Sequence, residues 1–329
     1  MSSQFCLSIA VPIYNEESTI PELLQRTRAV LDRIPGGPHE LLFVDDGSSD
    51  RTLPLLEQAA HSDPRISVIA LSRNFGHQAA LSAALDHAVG DAVVLMDGDL
   101  QDAPEDIPLL AERHREGYDV VYATRATRQE GWPAKLSYFL FYRLQAMLSD
   151  TRLPLDAGDF GLMSRRVVDQ IRHMPERQRY LRGLRSWVGF RQLAIPLDRA
   201  ERHSGQSKYG FLKLLKLASD GIFAFSVVPL RAATMIGAVA VGVSALFALY
   251  SVYAKFVLNR APQGFTALVF MVTFLSGVLL FFLGIIGEYV GRVYEEVKAR
   301  PLYIIDRTVG GTASNGGEAR SREKLRELP

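Results

Sequence analysis

The sequence predicts an α/β domain with a mainly parallel sheet, followed by a two-helix transmembrane hairpin. Three observations predict it. Up to about residue 200, short apolar runs rich in β-branched residues alternate with stretches of helical spacing. Several of these apolar runs end abruptly on an acidic or turn-forming motif. After about residue 230 come two long runs without a charge, Ala232 to Ala254 and Ala261 to Gly287.

Taken in order, Phe5 to Ile13 reads as a first strand, ending at Pro12-Ile13-Tyr14-Asn15-Glu16. Pro21 to Arg33 has helical spacing at Leu23, Leu24, Thr27, Val30 and Leu31, and Pro35-Gly36-Gly37-Pro38 stops it. Leu41 to Val44 is a short buried strand broken by Asp45-Asp46-Gly47-Ser48-Ser49-Asp50. A helix over Thr52 to Ala60, a strand over Ile66 to Leu71 and a helix over Gln78 to Val89 follow. Ala92 to Met96 is a strand ending on Asp97, and Val120 to Ala123 is another, ahead of Arg125. Strands joined through helices form a parallel sheet, and ligands of such sheets bind outside the carboxyl ends of the strands. The acidic motifs stand at those ends.

Each uncharged run exceeds the ~20 apolar residues that cross a bilayer. The link from Lys255 to Arg260 is short, so the two form a hairpin, and Gly237, Gly242, Ser244, Gly277 and Gly284 offer close helix packing. Arg231 before the hairpin and Arg292, Lys298 and Arg300 after it favour both ends in the cytoplasm, an asymmetry weakened by Lys255 and Arg260. Phe211, Leu212, Leu214, Leu215 and Leu217 lie among Lys208, Lys213 and Lys216, the pattern of a helix in the membrane interface. Beyond Asp306 the composition of Gly, Ser, Arg and Glu predicts disorder. The start, Met1 to Phe5, lacks the pattern of a signal peptide, so insertion is expected from the later runs.

Lys and Arg number 37 against 36 Asp and Glu, which argues against a nucleic-acid partner. The one cysteine, Cys6, allows no internal disulfide and no cysteine-cluster metal site. No Gly-x-Gly-x-x-Gly or P-loop pattern appears, which counts against dinucleotide and P-loop chemistry. Asp97-Gly98-Asp99-Leu100-Gln101 carries the strongest chemical signal. Alternate residues of an extended segment share a side, so Asp97, Asp99 and Gln101 converge there if the strand continues. Two carboxylates and an amide oxygen suit Mg²⁺ or Mn²⁺ with positions open for substrate phosphates. Alone, an Asp-x-Asp is no more than an acidic loop; its place at a buried strand end gives it weight. One carboxylate of Asp45-Asp46 can accept from a nucleobase or ribose, Asp50 caps the following helix, and Tyr14 and Glu16 offer an aromatic wall and a carboxylate. His77, His173 and His203 read as packing or surface residues, since none stands at zinc spacing.

The order Pro-x-Tyr-Asn-Glu, Val-Asp-Asp-Gly-Ser-Ser-Asp and Met-Asp-Gly-Asp-Leu-Gln-Asp-x-Pro-Glu resembles inverting glycosyltransferase family two, with its GT-A fold. Leu100 to Glu105, Leu71 to His77 and Arg182 to Phe190 resemble its polyprenyl-phosphate branch. The resemblance covers residues 5 to 306. It implies nucleotide contacts at Pro12, Tyr14, Glu16, Asp46 and Asp97, and a metal at Asp97, Asp99 and Gln101. Asp99, Asp159 and Arg202 are the implied catalytic residues, with Asp159 near the sugar as base or orienting group. Gly161 stands where many relatives carry Arg. Arg202 to Tyr209 matches the acceptor-phosphate loop, so Arg202, Ser207 and Lys208 would hold the lipid phosphate, and Arg125, after the strand at Val120 to Ala123, is a second candidate for donor or acceptor phosphate.

The implied organisation is a GT-A catalytic domain over 1–205, interface helices and acceptor loop over 206–230, transmembrane helices over 231–290, a cytoplasmic return over 291–308 and a disordered tail over 309–329. The implied partners are a nucleotide sugar, with UDP-glucose first and GDP-mannose behind it, a polyprenyl phosphate and the bilayer. An oligomer, of which a tetramer is one form, is also implied, in a bacterial inner membrane. A processive polysaccharide synthase shares the acidic motifs, but its Gln-x-x-Arg-Trp pattern does not fit Arg182 to Trp187. A non-catalytic membrane scaffold would not need these motifs intact.

Overall fold

The computed structural model describes residues 5–125, 157–174, 176–177, 179–197, 228–257 and 264–311. The chain falls into two compact units, one of Met1–Ser137, Thr151–Lys208 and Arg300–Pro329, the other of Tyr138–Asp150 and Tyr209–Ala299.

In the first unit, strands β1 (Leu7–Ile13), β2 (Glu40–Asp45), β3 (Ile66–Leu71) and β4 (Ala92–Leu95) are buried at every position. Strands covered on both faces read as continuous apolar runs, which is why the sequence disclosed them. Helices α1 (Ile20–Leu31), α2 (Thr52–Ser62) and α3 (His77–His87) connect them. Side chains alternate across the sheet: Leu7, Ile9, Val11 and Phe43 enter one core, Ala10, Leu42 and Val44 the other. Burying Phe43 alone contributes about 2–3 kcal/mol.

A 3₁₀ turn at Pro104–Asp106 leads into α4 (Ile107–Arg115). Then come β5 (Val120–Arg125), β6 (Ala157–Ser164), α5 (Arg165–His173), α6 (Leu181–Trp187) and β7 (Gln192–Leu197). A last strand, β8 (Ile305–Val309), completes a sheet in the order β7-β5-β6-β4-β1-β2-β3-β8. The pairs β1–β2, β1–β4, β2–β3 and β5–β7 are parallel. β6 runs against both β4 and β5, and β8 against β3, so the sheet is parallel in four of its seven pairs, as expected of a mainly parallel one, and mixed at β6 and β8. Gly161 explains part of this packing. A Cβ there would stand 2.8 Å from the Val121 carbonyl oxygen and 3.0 Å from Tyr122 Cα, so no side chain fits between β6 and β5.

β8 overturns the expectation that order ends at Asp306. The free edge of β3 offers a ladder of backbone groups, and residues Ile305 to Val309 take it. Tyr303 fastens the approach: its hydroxyl donates to Asp86 Oδ2 at 2.9 Å and its ring meets that of His87 edge-on. The Ser72 N–H donates to the Ile304 carbonyl at 2.9 Å, and Arg307 pairs with Glu57 at 2.8 Å.

The second unit contains α7 (Val228–Phe256) and α8 (Phe265–Val297). Within them Ala233–Ala254 and Phe274–Val297, of mean hydropathy 2.1 and 1.9, are long and apolar enough to cross a bilayer. Val239, Leu246, Leu249, Leu279 and Phe281 are exposed along them, an arrangement suited to lipid. α8 continues past the uncharged run, with Arg292 paired to Glu288 at 2.8 Å on its polar end. The expected close packing at Gly237, Gly242, Gly277 and Gly284 is not found, since a Cβ at each meets nothing within 4 Å. The expected interface helix over 209–217 lies outside the described residues.

Candidate active site

The carboxyl ends of β1, β2 and β4 lie side by side, with Ile13 opposite Asp45 and Ala10 opposite Leu95. Polar loops leave all three. Beyond β1, in which Pro12 pairs with Val44, the Tyr14 ring stands 47% exposed. Asn15, at φ +52°, donates its N–H to Ser48 Oγ at 2.9 Å and accepts from Ser49 N–H at 2.8 Å. The Glu16 N–H donates to Thr52 Oγ1 at 2.9 Å. The first two strand-end loops are thus tied together backbone to side chain.

Beyond β2, the Asp45 carboxylate accepts from Ser48 N–H at 3.1 Å. Asp46 is buried, and its two oxygens accept the N–H groups of Phe75 at 2.7 Å and Gly76 at 2.9 Å. Burial pushes both carboxyls up from their ordinary value, against those hydrogen bonds. Asp46 therefore faces the loop that begins α3 and fixes it from below. Gly47, at φ +71°, permits the approach: a Cβ there would lie 2.5 Å from the Arg73 carbonyl carbon. Asp50 was expected to cap α2, but the N-cap position falls on Arg51 and carries no side-chain cap; Asp50, one residue earlier, accepts from the Thr52 N–H at 2.9 Å.

Beyond β4 the chain does not stay extended. It turns at Gly98–Leu100, with Leu100 at φ +57°, and Asp99 accepts from the Gln101 N–H at 3.1 Å. The alternation that was to aim Asp97, Asp99 and Gln101 at one point ends with the strand. Gly98 is wedged under β1, where a Cβ would meet Ile13 Cδ1 at 2.1 Å, so the turn is seated tightly. What gathers at Asp97 comes from elsewhere. His77 Nε2 lies 3.5 Å from Asp97 Oδ1 and 3.6 Å from Asp159 Oδ2. One donor atom from each of His77, Asp97 and Asp159 falls within 4.8 Å of the others. His77, read as a packing or surface residue, is exposed, and as the first residue of α3 it stands between two carboxylates.

Asp159, on β6, is gripped by Arg182 on α6. Nε donates to Oδ1 at 2.7 Å and Nη2 to Oδ2 at 2.6 Å. Both partners are anchored through their neighbours. The Leu181 N–H donates to the Gln78 side chain at 3.0 Å, and Arg185 Nη2 donates to the Gly158 carbonyl at 3.0 Å. Arg185 is itself buried over the Tyr122 ring, and burial pushes its guanidinium down to about 10. Burial alone would raise the Asp159 carboxyl, but the Arg182 hydrogen bonds and His77 outweigh it and hold it far below the usual carboxylate range. For His77, burial disfavours the charged ring, and the hydrogen bond to Asp159 and the charge of Asp97 outweigh that and raise its pKa.

Arg125 ends β5, and its side chain, like Arg202, Ser207 and Lys208, lies outside the described residues. The donor atoms close enough to share one ion are those of His77, Asp97 and Asp159, two carboxylates and an imidazole nitrogen, while Asp99 and Gln101 lie on the turn beyond Asp97. His77 and Arg182 were missed as site residues from the sequence. Their only signal was the two motifs that contain them, Leu71 to His77 and Arg182 to Phe190.

Comparison with known proteins places the arrangement. Residues 8–172 match Glycosyl transferase family 2. An uncharacterized glycosyltransferase of Bacillus subtilis is 44% identical over 311 residues, 94% of this chain and 96% of that protein. A prophage bactoprenol glucosyl transferase homolog of Escherichia coli is 39% identical over 302 residues, 92% of this chain and 98% of that protein. An undecaprenyl-phosphate 4-deoxy-4-formamido-L-arabinose transferase of Pectobacterium carotovorum is 36% identical over 330 residues, 97% and 98% of the two chains.

Proposed function

The chain belongs to glycosyl transferase family 2, and we propose that it moves a hexose from a nucleotide sugar, UDP-glucose first, to the phosphate of a polyprenyl lipid at a membrane. The observation that carries this reading is the network of Asp97, His77, Asp159 and Arg182 at the carboxyl edge of a GT-A-like sheet. Two outward-apolar helices on the same chain support a lipid acceptor. The names of relatives near 40% identity, bactoprenol glucosyl transferases, support both the lipid and glucose.

The reaction is an in-line displacement with inversion. An acceptor phosphate oxygen attacks the anomeric carbon, and the bond from that carbon to the nucleoside diphosphate breaks, its electron pair leaving with the diphosphate. A phosphate monoester loses its second proton near pH ~6, so the attacking oxygen is already largely ionised at neutral pH. No strong base is then needed, which agrees with Asp159, whose oxygens are both engaged by Arg182. Asp159 orients rather than deprotonates. Tyr14, exposed beside Pro12 and Glu16, supplies an apolar face for the nucleobase. Mg²⁺ or Mn²⁺ held by Asp97, Asp99 and Gln101 would neutralise charge on the diphosphate. Arg202, Ser207 and Lys208 would take the lipid phosphate, with the catalytic unit on the cytoplasmic side where nucleotide sugars are made. The reading is tested by incubating membranes that contain the protein with undecaprenyl phosphate and a panel of labelled nucleotide sugars. Label from UDP-glucose should enter the lipid extract; label that stays water-soluble with every donor would refute it.

A further inference from the structure

Arg182 and Asp159 form an unequal pair. The Asp159 side chain is 4% exposed, that of Arg182 36%. Asp159 receives Nε on one oxygen and Nη2 on the other, and His77 approaches the second at 3.6 Å. The carboxylate is enclosed; the guanidinium is not. A guanidinium offers five N–H donors in a planar fork and accepts nothing. The pairing takes its Nε–Nη2 edge and leaves Nη1 outside it. The most exposed groups of the network are thus the half-exposed His77 ring and the Arg182 guanidinium, at 36%, ahead of Asp97 at 22%. Backbone anchors on both sides, Gln78 to Leu181 and Arg185 to Gly158, hold the fork still before any ligand arrives. A rigid, partly exposed guanidinium whose inner edge is neutralised by a buried carboxylate suits an incoming oxyanion.

We propose that Arg182 is a phosphate-binding residue, its outer N–H groups taking a phosphate oxygen of a substrate while Asp159 serves as the positioning residue that aims it. This rests on the transferase reading above. The phosphate is either the diphosphate of the donor or the monophosphate of the lipid acceptor, since the recognising chemistry is shared. It assigns Asp159 a task different from that of a base: its charge is spent on holding Arg182.

The test uses the full chain in detergent micelles. Calorimetric titration of UDP and of inorganic pyrophosphate gives the affinity for donor phosphates, and steady-state transfer gives KM for undecaprenyl phosphate. Arg182→Ala should weaken one of these about tenfold or more, as loss of a charge-assisted hydrogen bond does. Weaker UDP and pyrophosphate with unchanged lipid KM assigns the donor; the reverse assigns the acceptor. Arg182→Lys, which keeps the charge and loses the fork, should recover part of the loss. Arg182→Ala leaves the Asp159 carboxylate buried alone, so the double variant Asp159→Asn with Arg182→Ala removes that strain and should show the same loss. The proposal is overturned if both variants stay within twofold of wild type in every measurement, or if the double variant regains wild-type values. It is also overturned if wild type binds none of the three phosphates. If wild type binds UDP but transfers no sugar to lipid, the transferase reading fails instead, and the UDP and pyrophosphate titrations still judge Arg182.

Discussion

Gly47→Ala should disable the site from outside it. Gly47 sits at φ +71°, which costs an L side chain roughly 1–2 kcal/mol. The new Cβ would also stand 2.5, 2.7 and 2.9 Å from Arg73 C, Asn74 N and Arg73 Cα, all backbone atoms that cannot rotate away. Reaching an ordinary contact of 3.4 Å requires the Arg73–Gly76 loop to retreat by close to 0.9 Å. The bonds from Phe75 and Gly76 to Asp46, now 2.7 and 2.9 Å, would stretch past the limit of a hydrogen bond, with a loss of about 1.5–3 kcal/mol each. Part of that is offset, because burial disfavours the ionised Asp46 carboxylate. A net destabilisation of about 3–5 kcal/mol follows, near 10 °C in Tm for a unit of this size. His77 opens the helix after this loop, so it moves with it, and misplacement near 1 Å costs on the order of 100-fold in turnover. Gly76→Ala is the control. Gly76 has φ +100° but a Cβ there meets nothing within 4 Å, so only the conformational cost should appear. Thermal unfolding by intrinsic fluorescence and kcat/KM for transfer read both effects. If Gly47→Ala matches Gly76→Ala in Tm and keeps kcat/KM within threefold of wild type, the claim that this contact aligns the site is wrong.

Other perturbations act on single groups. Asp99→Ala should lower transfer at least 100-fold with the protein still folded; near-normal turnover in Mg²⁺ or Mn²⁺ would remove Asp99 from the metal site. His77 has a raised pKa, so its stabilisation is complete below the unfolded value of about 6.5 and lost as pH rises through the folded value. His77→Gln should therefore flatten the decline in Tm as pH rises above about 6.5, and an unchanged slope would contradict the assignment. Tyr303→Phe deletes the hydroxyl that donates to Asp86 and should cost about 1–3 kcal/mol in the catalytic unit, measured as a lower Tm at unchanged membrane yield.

How far the fold was legible depended on burial. β3 runs from Ile66 to Leu71 in the structure as in the sequence, because a strand covered on both faces has no polar positions to blur it. β6, by contrast, reads Ala-Gly-Asp-Phe-Gly-Leu-Met-Ser, with two glycines and an acid that argue for a loop. Its reasons are local: Gly161 is forced by the β5 backbone and Asp159 by Arg182. β8 escaped for the opposite reason. Its five residues carry an acid and a base, and only the vacant edge of β3, distant in sequence, makes them a strand.

The site divided along charge. Two of its carboxylates were legible because they follow an apolar run directly, Asp46 after β2 and Asp97 after β4, while Asp159, inside β6, was named only through the family resemblance. Its cations were not, because His77 and Arg182 begin helices and reach the carboxylates only through packing of α3 and α6 against the sheet. Yet the cations decide what the carboxylates can do. Asp97 and Asp159 bare beside one another would repel a diphosphate and each other, at several kcal/mol for charges a few ångströms apart in a partly shielded site. With Arg182 closed on Asp159 and His77 between the two acids, Asp97 is the more accessible of the pair, at 22% side-chain exposure against 4% for Asp159. The acid that remains suited to a divalent ion is the one on the Asp97-Gly98-Asp99 turn, and the acid on β6 is withdrawn from that competition. A variant lacking the Arg182 charge should therefore compete for the metal at Asp159 as well, and show a divalent-ion dependence shifted from wild type; an identical dependence would mean that the two acids never shared a field.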